Sequence, residues 1–233
     1  MLSGTNSSLE PGLYVAALPI GNAEDITQRA RNILSLVDVI AAEDTRKFKT
    51  WINFCGLKIN AKIITYHSYN EIKSAEGIVK LIKEDKSVAL VSDAGTPRIS
   101  DPGYNIVRKC HENGILVVSI PGASSVTAFL SVSPLPVSPF LFLGFITPKE
   151  KKRLNFLNSF SNYHGAVVFF ESVHRIKKLL ASILEAWGNL EVFIGREITK
   201  KNEEFFWGYL DKAILWAENK KGEFIIQANK RKC

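Results

Sequence analysis

Long apolar runs are missing from this 233-residue chain. None approaches the ~18 residues that a membrane-spanning helix needs, and the longest, PFLFLGFI at 139–146, is the size of a strand. No membrane partner is therefore expected. Cysteine is scarce: Cys55, Cys110 and Cys233 show neither metal-ligand nor Cys-x-x-Cys spacing. Cys55 and Cys110 sit among apolar neighbours and read as packing residues, which fits a reducing cytoplasm and makes the Asn6-Ser7-Ser8 glycosylation match a chance hit. With four scattered histidines, no metal site is expected. The opening MLSGTNSSLEPG lacks the basic and apolar regions of a signal peptide and reads as a loose arm over residues 1–12.

The common catalytic and nucleotide fingerprints are absent as well. There is no Gly-x-Gly-x-x-Gly and no Gly-x-x-x-x-Gly-Lys-Ser/Thr, so neither a Rossmann dinucleotide site nor a P-loop is supported. Without His-Glu-x-x-His or a Gly-x-Ser-x-Gly elbow, zinc-protease and α/β-hydrolase readings fall too.

What is present is an excess of base and a regular rhythm. Thirty Lys and Arg against 23 Asp and Glu leave a net charge of +7, which suits a polyanionic partner without demonstrating one. Lys149, Lys151, Lys152 and Arg153 cluster, as do Lys230, Arg231 and Lys232. From Leu13 to about Val132, short apolar runs alternate with helix-period segments. Strands are predicted at 13–19, 37–42, 62–66, 87–92 and 115–120. Between them, Asp25 is expected to cap a helix whose Ile26, Ala30, Ile33, Leu34 and Val37 form one stripe, and Asp101 to cap another with Pro102 in its first position. Such alternation predicts a mainly parallel sheet with helices on both faces. SVSPLPVSP (131–139) reads as a linker, with residues 133–139 its core. Strands at 140–146, 166–170, 191–195, 204–210 and 223–229 and helices at 149–160 and 173–187 follow. The close spacing of the third and fourth of these strands predicts a hairpin, hence a mixed sheet. The expected fold class is α/β, with one α/β domain over 13–132 and a second over 140–233.

Four loops leave the carboxyl edges of the first set of strands: PIGNAED (19–25), EDTR (43–46), SDAGTPRISDPG (92–103) and PGASS (121–125). In open parallel sheets ligands gather at that edge, and loops so rich in small residues let a ligand reach the backbone.

YVAALPIGNAEDITQRA, VIAAEDTR, ALVSDAGTPRISDPGY, PGASS, FLGF, FFESVHR, GREITK and KGEF together resemble the tetrapyrrole-methylase superfamily. Within it they resemble the bacterial enzymes that methylate a cytidine ribose 2′-hydroxyl of 16S rRNA. The resemblance runs from about Leu13 to Ile226. It implies two α/β domains, S-adenosylmethionine folded in a cleft between them, a homodimer, and 16S rRNA of the decoding region as substrate, within the small ribosomal subunit. Departures are Leu18 for a usual Thr, Arg98 for a usual Gly and Val173 for a usual Pro. The chain also ends soon after KGEF, where a small helical C-terminal domain is usual.

Carried onto these motifs, the cofactor contacts are Leu18, Pro19, Asp93, Ala94, Gly95, Thr96, Ile99, Ser124, Ser125 and Glu171. Asp93 is the hydrogen-bond acceptor, and Gly95 and Thr96 offer main-chain groups. Arg46, His174, Arg175 and Arg196 are the RNA contacts, since arginine forks fit phosphates. A ribose hydroxyl needs an acceptor for its proton. Candidates are Asp44, Glu171, Glu197 and Lys200, of which Glu197 and Lys200 are carried forward. Lys200 serves only if its pKa is lowered, as neighbouring Arg196 and Lys201 would do. Two other readings stay open: a small-molecule, tetrapyrrole-type C- or N-methyltransferase of the same fold, and a non-catalytic basic RNA-binding module.

Overall fold

The computed structural model describes residues 9–67 and 71–230. Most of the predicted arm, together with Arg231, Lys232 and Cys233, lies outside the described residues. The chain divides into two compact units, one ending at Ser124 and the other beginning at Ser125.

The first unit is built on five parallel strands: β1 (Gly12–Ala16), β2 (Val39–Ala42), β3 (Lys62–Thr65), β4 (Ser87–Val91) and β5 (Val117–Ile120), in the order β3-β2-β4-β1-β5. β2 and β4 are buried along their whole length because helices cover both faces. On one face Tyr14 and Ala16 pack with Ala30, Ile33 and Leu34 of α1 (Gln28–Leu36) and with Phe48 and Ile52 of α2 (Thr45–Phe54). On the other, Leu13 joins Ala75, Ile78 and Ile82 of α3 (Glu71–Lys83) and Ile106, Val107 and Cys110 of α4 (Tyr104–Glu112).

Two predicted helix starts are corrected. α1 is capped by Thr27, whose hydroxyl accepts from the Ala30 N–H at 3.1 Å, while Asp25 ends a short 3-10 turn at Ala23–Asp25. α4 begins at Tyr104 rather than Pro102. Its cap comes from α3, because Glu71 Oε1 accepts from the Gly103 and Asn105 N–H groups at 3.0 Å each. Capping from a distant element leaves no local sequence signal.

The second unit carries β6 (Phe140–Gly144), β7 (Gly165–Ser172), β8 (Glu191–Arg196), β9 (Glu204–Tyr209) and β10 (Glu223–Lys230), in the order β6-β7-β10-β8-β9. β6 and β7 are parallel and every other pairing is antiparallel, so the sheet is mixed as predicted. Alternate residues of each strand feed opposite cores. Val168, Phe193 and Ile225 pack with Val126, Phe129 and Leu130 of α5 (Ser125–Ser131). Val167, Phe169, Ile194 and Ile226 pack with α6 (Glu150–Asn158), α7 (Ile176–Trp187) and α8 (Leu210–Trp216). The proline-rich stretch is fastened to this unit: Leu135 is 5% exposed, and the Pro136 carbonyl accepts from Gln227 Nε2 and Asn229 Nδ2 at 2.9 Å each. α8 was not anticipated, because LDKAILW follows β9 with no glycine or proline to mark the change.

Candidate functional site

The four strand-end loops of the first unit are tied to one another. Leu18 N–H donates to the Gly95 carbonyl at 2.9 Å, and Gly95 N–H donates back to Leu18 at 3.0 Å. Gly95 adopts φ +71°, and a Cβ there would lie 3.2 Å from Ile20 Cγ2, so glycine answers both the turn and the close approach. Thr96 Oγ1 donates to the Ala123 carbonyl at 3.1 Å, joining the loop after β4 to the loop after β5. Asp93 draws in the loop after β2: its carboxylate accepts from the Asp44 N–H at 3.1 Å and from Lys47 Nζ at 2.6 Å.

This arrangement assembles Leu18, Pro19, Asp93, Ala94, Gly95 and Thr96, with Ser124 at the end of the fourth loop and Ser125 opening α5. Leu18 and Pro19 are buried, which leaves them main-chain roles, whereas Asp93, Ala94 and Ile99 are exposed. The Gly95 N–H is taken by Leu18, so the expected main-chain donor at that position is engaged within the protein. Arg98 is exposed at φ +75°, a left-handed conformation that glycine would hold with less strain. Arg46 stands at the first turn of α2, its side chain 90% exposed and 3.4 Å from Asp44. Asp44 itself caps α2, accepting from the Arg46 and Lys47 N–H groups, and those bonds hold its carboxyl below the usual range.

Sequence reasoning missed three members of this edge. Glu43 Oε2 accepts from the Asp93 N–H at 3.4 Å, and burial, followed by the Asp93 charge, pushes its carboxyl up. Asp101 is pushed up to about 6 by burial, with the Glu43 and Asp93 charges adding and the Ser92 hydroxyl opposing. Lys47 is the third, and its ammonium is held above the usual lysine range by its bond to Asp93. The available signal was the EDTR motif itself, which places Glu43 at a strand end and Lys47 one helical turn beyond the cap Asp44.

In the second unit, strand register brings three distant motifs to one sheet end. Phe224 of β10 lies between Glu171 of β7 and Arg196 of β8, so FFESVHR, GREITK and KGEF meet there. Glu171, expected at the cofactor, is 3% exposed and engaged: its Oε1 accepts from Arg175 Nε and the Ser172 N–H, each at 2.7 Å. Arg175 is thereby aimed by Glu171, and His174 beside it is exposed. Arg196, expected at RNA, is only 15% exposed and staples its own loop, donating to the carbonyls of Lys221 and Asn202 and pairing with Glu204 at 3.2 Å.

Lys200 Nζ bridges Glu197 at 3.2 Å and Glu223 at 2.8 Å. Burial works against its ammonium, but the two carboxylates outweigh burial and hold its pKa above the usual lysine range. The expected depression by Arg196 and Lys201 is therefore reversed. Glu197 is raised by burial but carried below the usual carboxylate range by the Glu223 N–H and Lys200. Glu197 sits at φ +51°, and a Cβ on Gly222 would come within 2.6 Å of its side chain, so the neighbouring glycine is what admits it. Among the described residues, no group of His, Cys, Asp and Glu is arranged to hold a metal ion, and no helix is long and apolar enough to cross a membrane.

Two parallel-to-mixed α/β units with a glycine-lined strand edge define a recognised class. The chain belongs to the tetrapyrrole (corrin/porphyrin) methylase family, which it matches over residues 12–213. It is 45% identical to the ribosomal RNA small subunit methyltransferase I of Thermotoga maritima, over 92% of this chain and 96% of that protein. To the protein of the same name from Halalkalibacterium halodurans it is 42% identical, over 94% of this chain and 77% of the relative. The fold is that of the methyltransferase CobJ, with a TM-score of 0.71 at 14% identity over 94% of each chain. It is also that of a uroporphyrin-III C-methyltransferase from Thermus thermophilus complexed with S-adenyl homocysteine, with a TM-score of 0.65 at 15% identity over 93% of this chain and 96% of that one.

Proposed function

We propose that this protein is an S-adenosylmethionine-dependent methyltransferase of small-subunit ribosomal RNA, acting on the ribose 2′-hydroxyl of a cytidine in the decoding region. The observation that carries the reading is the 45% identity, nearly end to end, to a protein named for that RNA. The same relatives favour RNA over a tetrapyrrole substrate.

The residues of the first unit fit the donor. Exposed Ala94 and Gly122 and the left-handed Gly95 keep bulk away from the strand edge. Glu43, Asp93 and Asp101 supply negative charge suited to a cationic sulfonium and an amino group. When bound, S-adenosylmethionine supplies an electrophilic methyl group. Asp93, pinned by Lys47 and the Asp44 N–H, holds a fixed acceptor, and Thr96 keeps its loop in register with Ala123. For the second unit we assign to Glu197 a hydrogen bond that orients the ribose hydroxyl, since a carboxyl held below its usual range is a weak proton acceptor. Lys200, kept cationic, steadies that carboxylate or meets a phosphate, and Arg175 is a phosphate contact aimed by Glu171. Alignment of this kind supplies several kcal/mol of barrier reduction.

The finer parts of the proposal are the assembled small subunit as substrate, a cytoplasmic location and a homodimer. β9 supports the last: it is an edge strand without proline or lysine, and its Phe205, Trp207 and Tyr209 are exposed. The direct test incubates the protein with labelled methyl donor and small subunits from a strain lacking this modification. One alkali-resistant ribose methyl on a decoding-region cytidine is expected. Labelled base, or no label, overturns the reading.

A further inference from the structure

The helix that follows the EDTR motif carries a surface that the methyl-transfer chemistry does not use. From Thr45 to Asn70 the sequence contains Arg46, Lys47, Lys49, Lys58 and Lys62 and not one Asp or Glu. In the fold, α2 buries Phe48 and Ile52 and leaves Arg46, Lys47, Lys49, Thr50, Asn53 and Phe54 exposed. Lys47, Thr50, Trp51 and Phe54 recur at the spacing of one helical face. With Asp44 and Arg46 they line a groove of about 600 Å³. Phe54 is 79% exposed at its end, which is unusual for a phenylalanine with no partner to cover it. Trp51 is half-buried and stacked on Phe48, with ring centroids 5.8 Å apart, so its indole is held in place from behind. Its indole N–H is buried without a hydrogen-bond partner.

We propose that this groove binds a single-stranded segment of the substrate RNA, with bases stacking on Trp51 and Phe54 and a phosphate meeting Arg46. The proposal rests on the RNA reading above and names where the strand runs. Three features select RNA over a protein occupant. Aromatic rings interleaved with cations are the pattern that binds unpaired bases and their backbone. The positive charge is uninterrupted along 45–70, which complements a polyanion. The groove also starts at the donor edge, because Asp44, which lines it, donates its N–H to Asp93. A strand laid along α2 is thus led towards the loops that hold the methyl donor. Lys47 is already paired with Asp93, so Arg46, whose side chain is 90% exposed, carries the phosphate contact.

The test measures binding of a fluorescein-labelled oligocytidylate by anisotropy, using the full chain and its Phe54→Ala, Trp51→Ala and Arg46→Glu variants. Base stacking predicts that each aromatic deletion weakens binding by at least about five-fold. Phe54→Ala is the deciding variant because that side chain is mostly in solvent, and its melting curve should match the parent. Its KM for small subunits should rise while kcat holds. Affinity for the oligomer equal to the parent in Phe54→Ala and Arg46→Glu overturns the proposal. So does a parent that does not bind the oligomer, or a fall in molar mass on Phe54→Ala in sedimentation, which would make the groove a contact between copies. A parent that methylates subunits while Phe54→Ala keeps the parental KM sinks this surface alone. A parent that methylates no RNA sinks the functional reading, and the oligomer measurement still decides the groove.

Discussion

Asp101 is an acid held against its own charge. Burial disfavours its carboxylate, and Glu43 and Asp93 add like charge, so its pKa stands at about 6 against an ordinary 3.8. An acid that binds its proton more tightly when folded contributes stability that is present below the ordinary pKa. That contribution is lost as pH rises through the folded value. Between about pH 4 and pH 6, Asp101 therefore works against the native state as pH climbs. Asp101→Asn should remove that component, leaving a variant that gains on the parent as pH is raised across this window. Urea midpoints of the two proteins measured from pH 4 to pH 7 check it: a constant difference between the curves would mean that Asp101 ionises normally. This strand edge carries the liability where a cationic ligand would relieve it, so methyl donor bound there as proposed should raise the parent's midpoint at pH 7.

At the scale of elements, α4 depends on a side chain from α3. Glu71 accepts from the Gly103 and Asn105 N–H groups and from the Tyr66 hydroxyl, while Ile106 N–H donates to that hydroxyl at 3.3 Å. Burial raises Glu71, but the two amide bonds prevail and hold its carboxyl below the usual range. Tyr66 is 1% exposed, so removing its partner strands a buried hydroxyl. Glu71→Ala should cost about 1–3 kcal/mol in urea denaturation with an unchanged m-value, and Glu71→Gln, which keeps an acceptor, should cost less. A loss below a few tenths would show that solvent replaces the cap. This network also shows why parts of the fold were hidden in the sequence. The stripe from Ile26 to Val37 and the runs of β2 and β4 were legible because their periodicity is written locally. The start of α4 was not, because its signal lies some 30 residues upstream on another helix. The proposed site was read from the glycines of the strand-end loops and from Asp93, whereas Glu43 and Asp101 emerged only once the strand order had placed β2 beside β4. Arg196 and Glu171 read from the sequence as ligand contacts, and the fold adds internal partners that the sequence did not show, the Asn202 carbonyl for Arg196 and Arg175 for Glu171.

For the whole molecule, the question is where a net charge of +7 acts. Much of the cationic inventory is already committed: Lys47 to Asp93, Lys109 to Glu76, Lys177 to Glu218, Lys200 to Glu197 and Glu223, and Lys220 to Glu204. Paired cations release few counterions when a polyanion arrives, so net charge overstates the contacts available. Along α2 and the segment leading to β3 the balance is different, since Arg46, Lys49, Lys58 and Lys62 are exposed in a stretch without acids. If these four provide the phosphate contacts, the logarithm of affinity for single-stranded RNA should fall against the logarithm of salt concentration with a slope of roughly −3, from about −0.7 per phosphate neutralised. Arg46→Glu should flatten that slope by at least about 0.7. Titrations of labelled oligocytidylate between about 50 and 200 mM salt give both values. A slope near zero would mean that bases alone carry the binding. A steep slope that Arg46→Glu leaves unchanged would move the electrostatic contact away from the groove, to exposed lysines such as Lys149, Lys151 and Lys152, whose neighbour Arg153 is buried against Ser182.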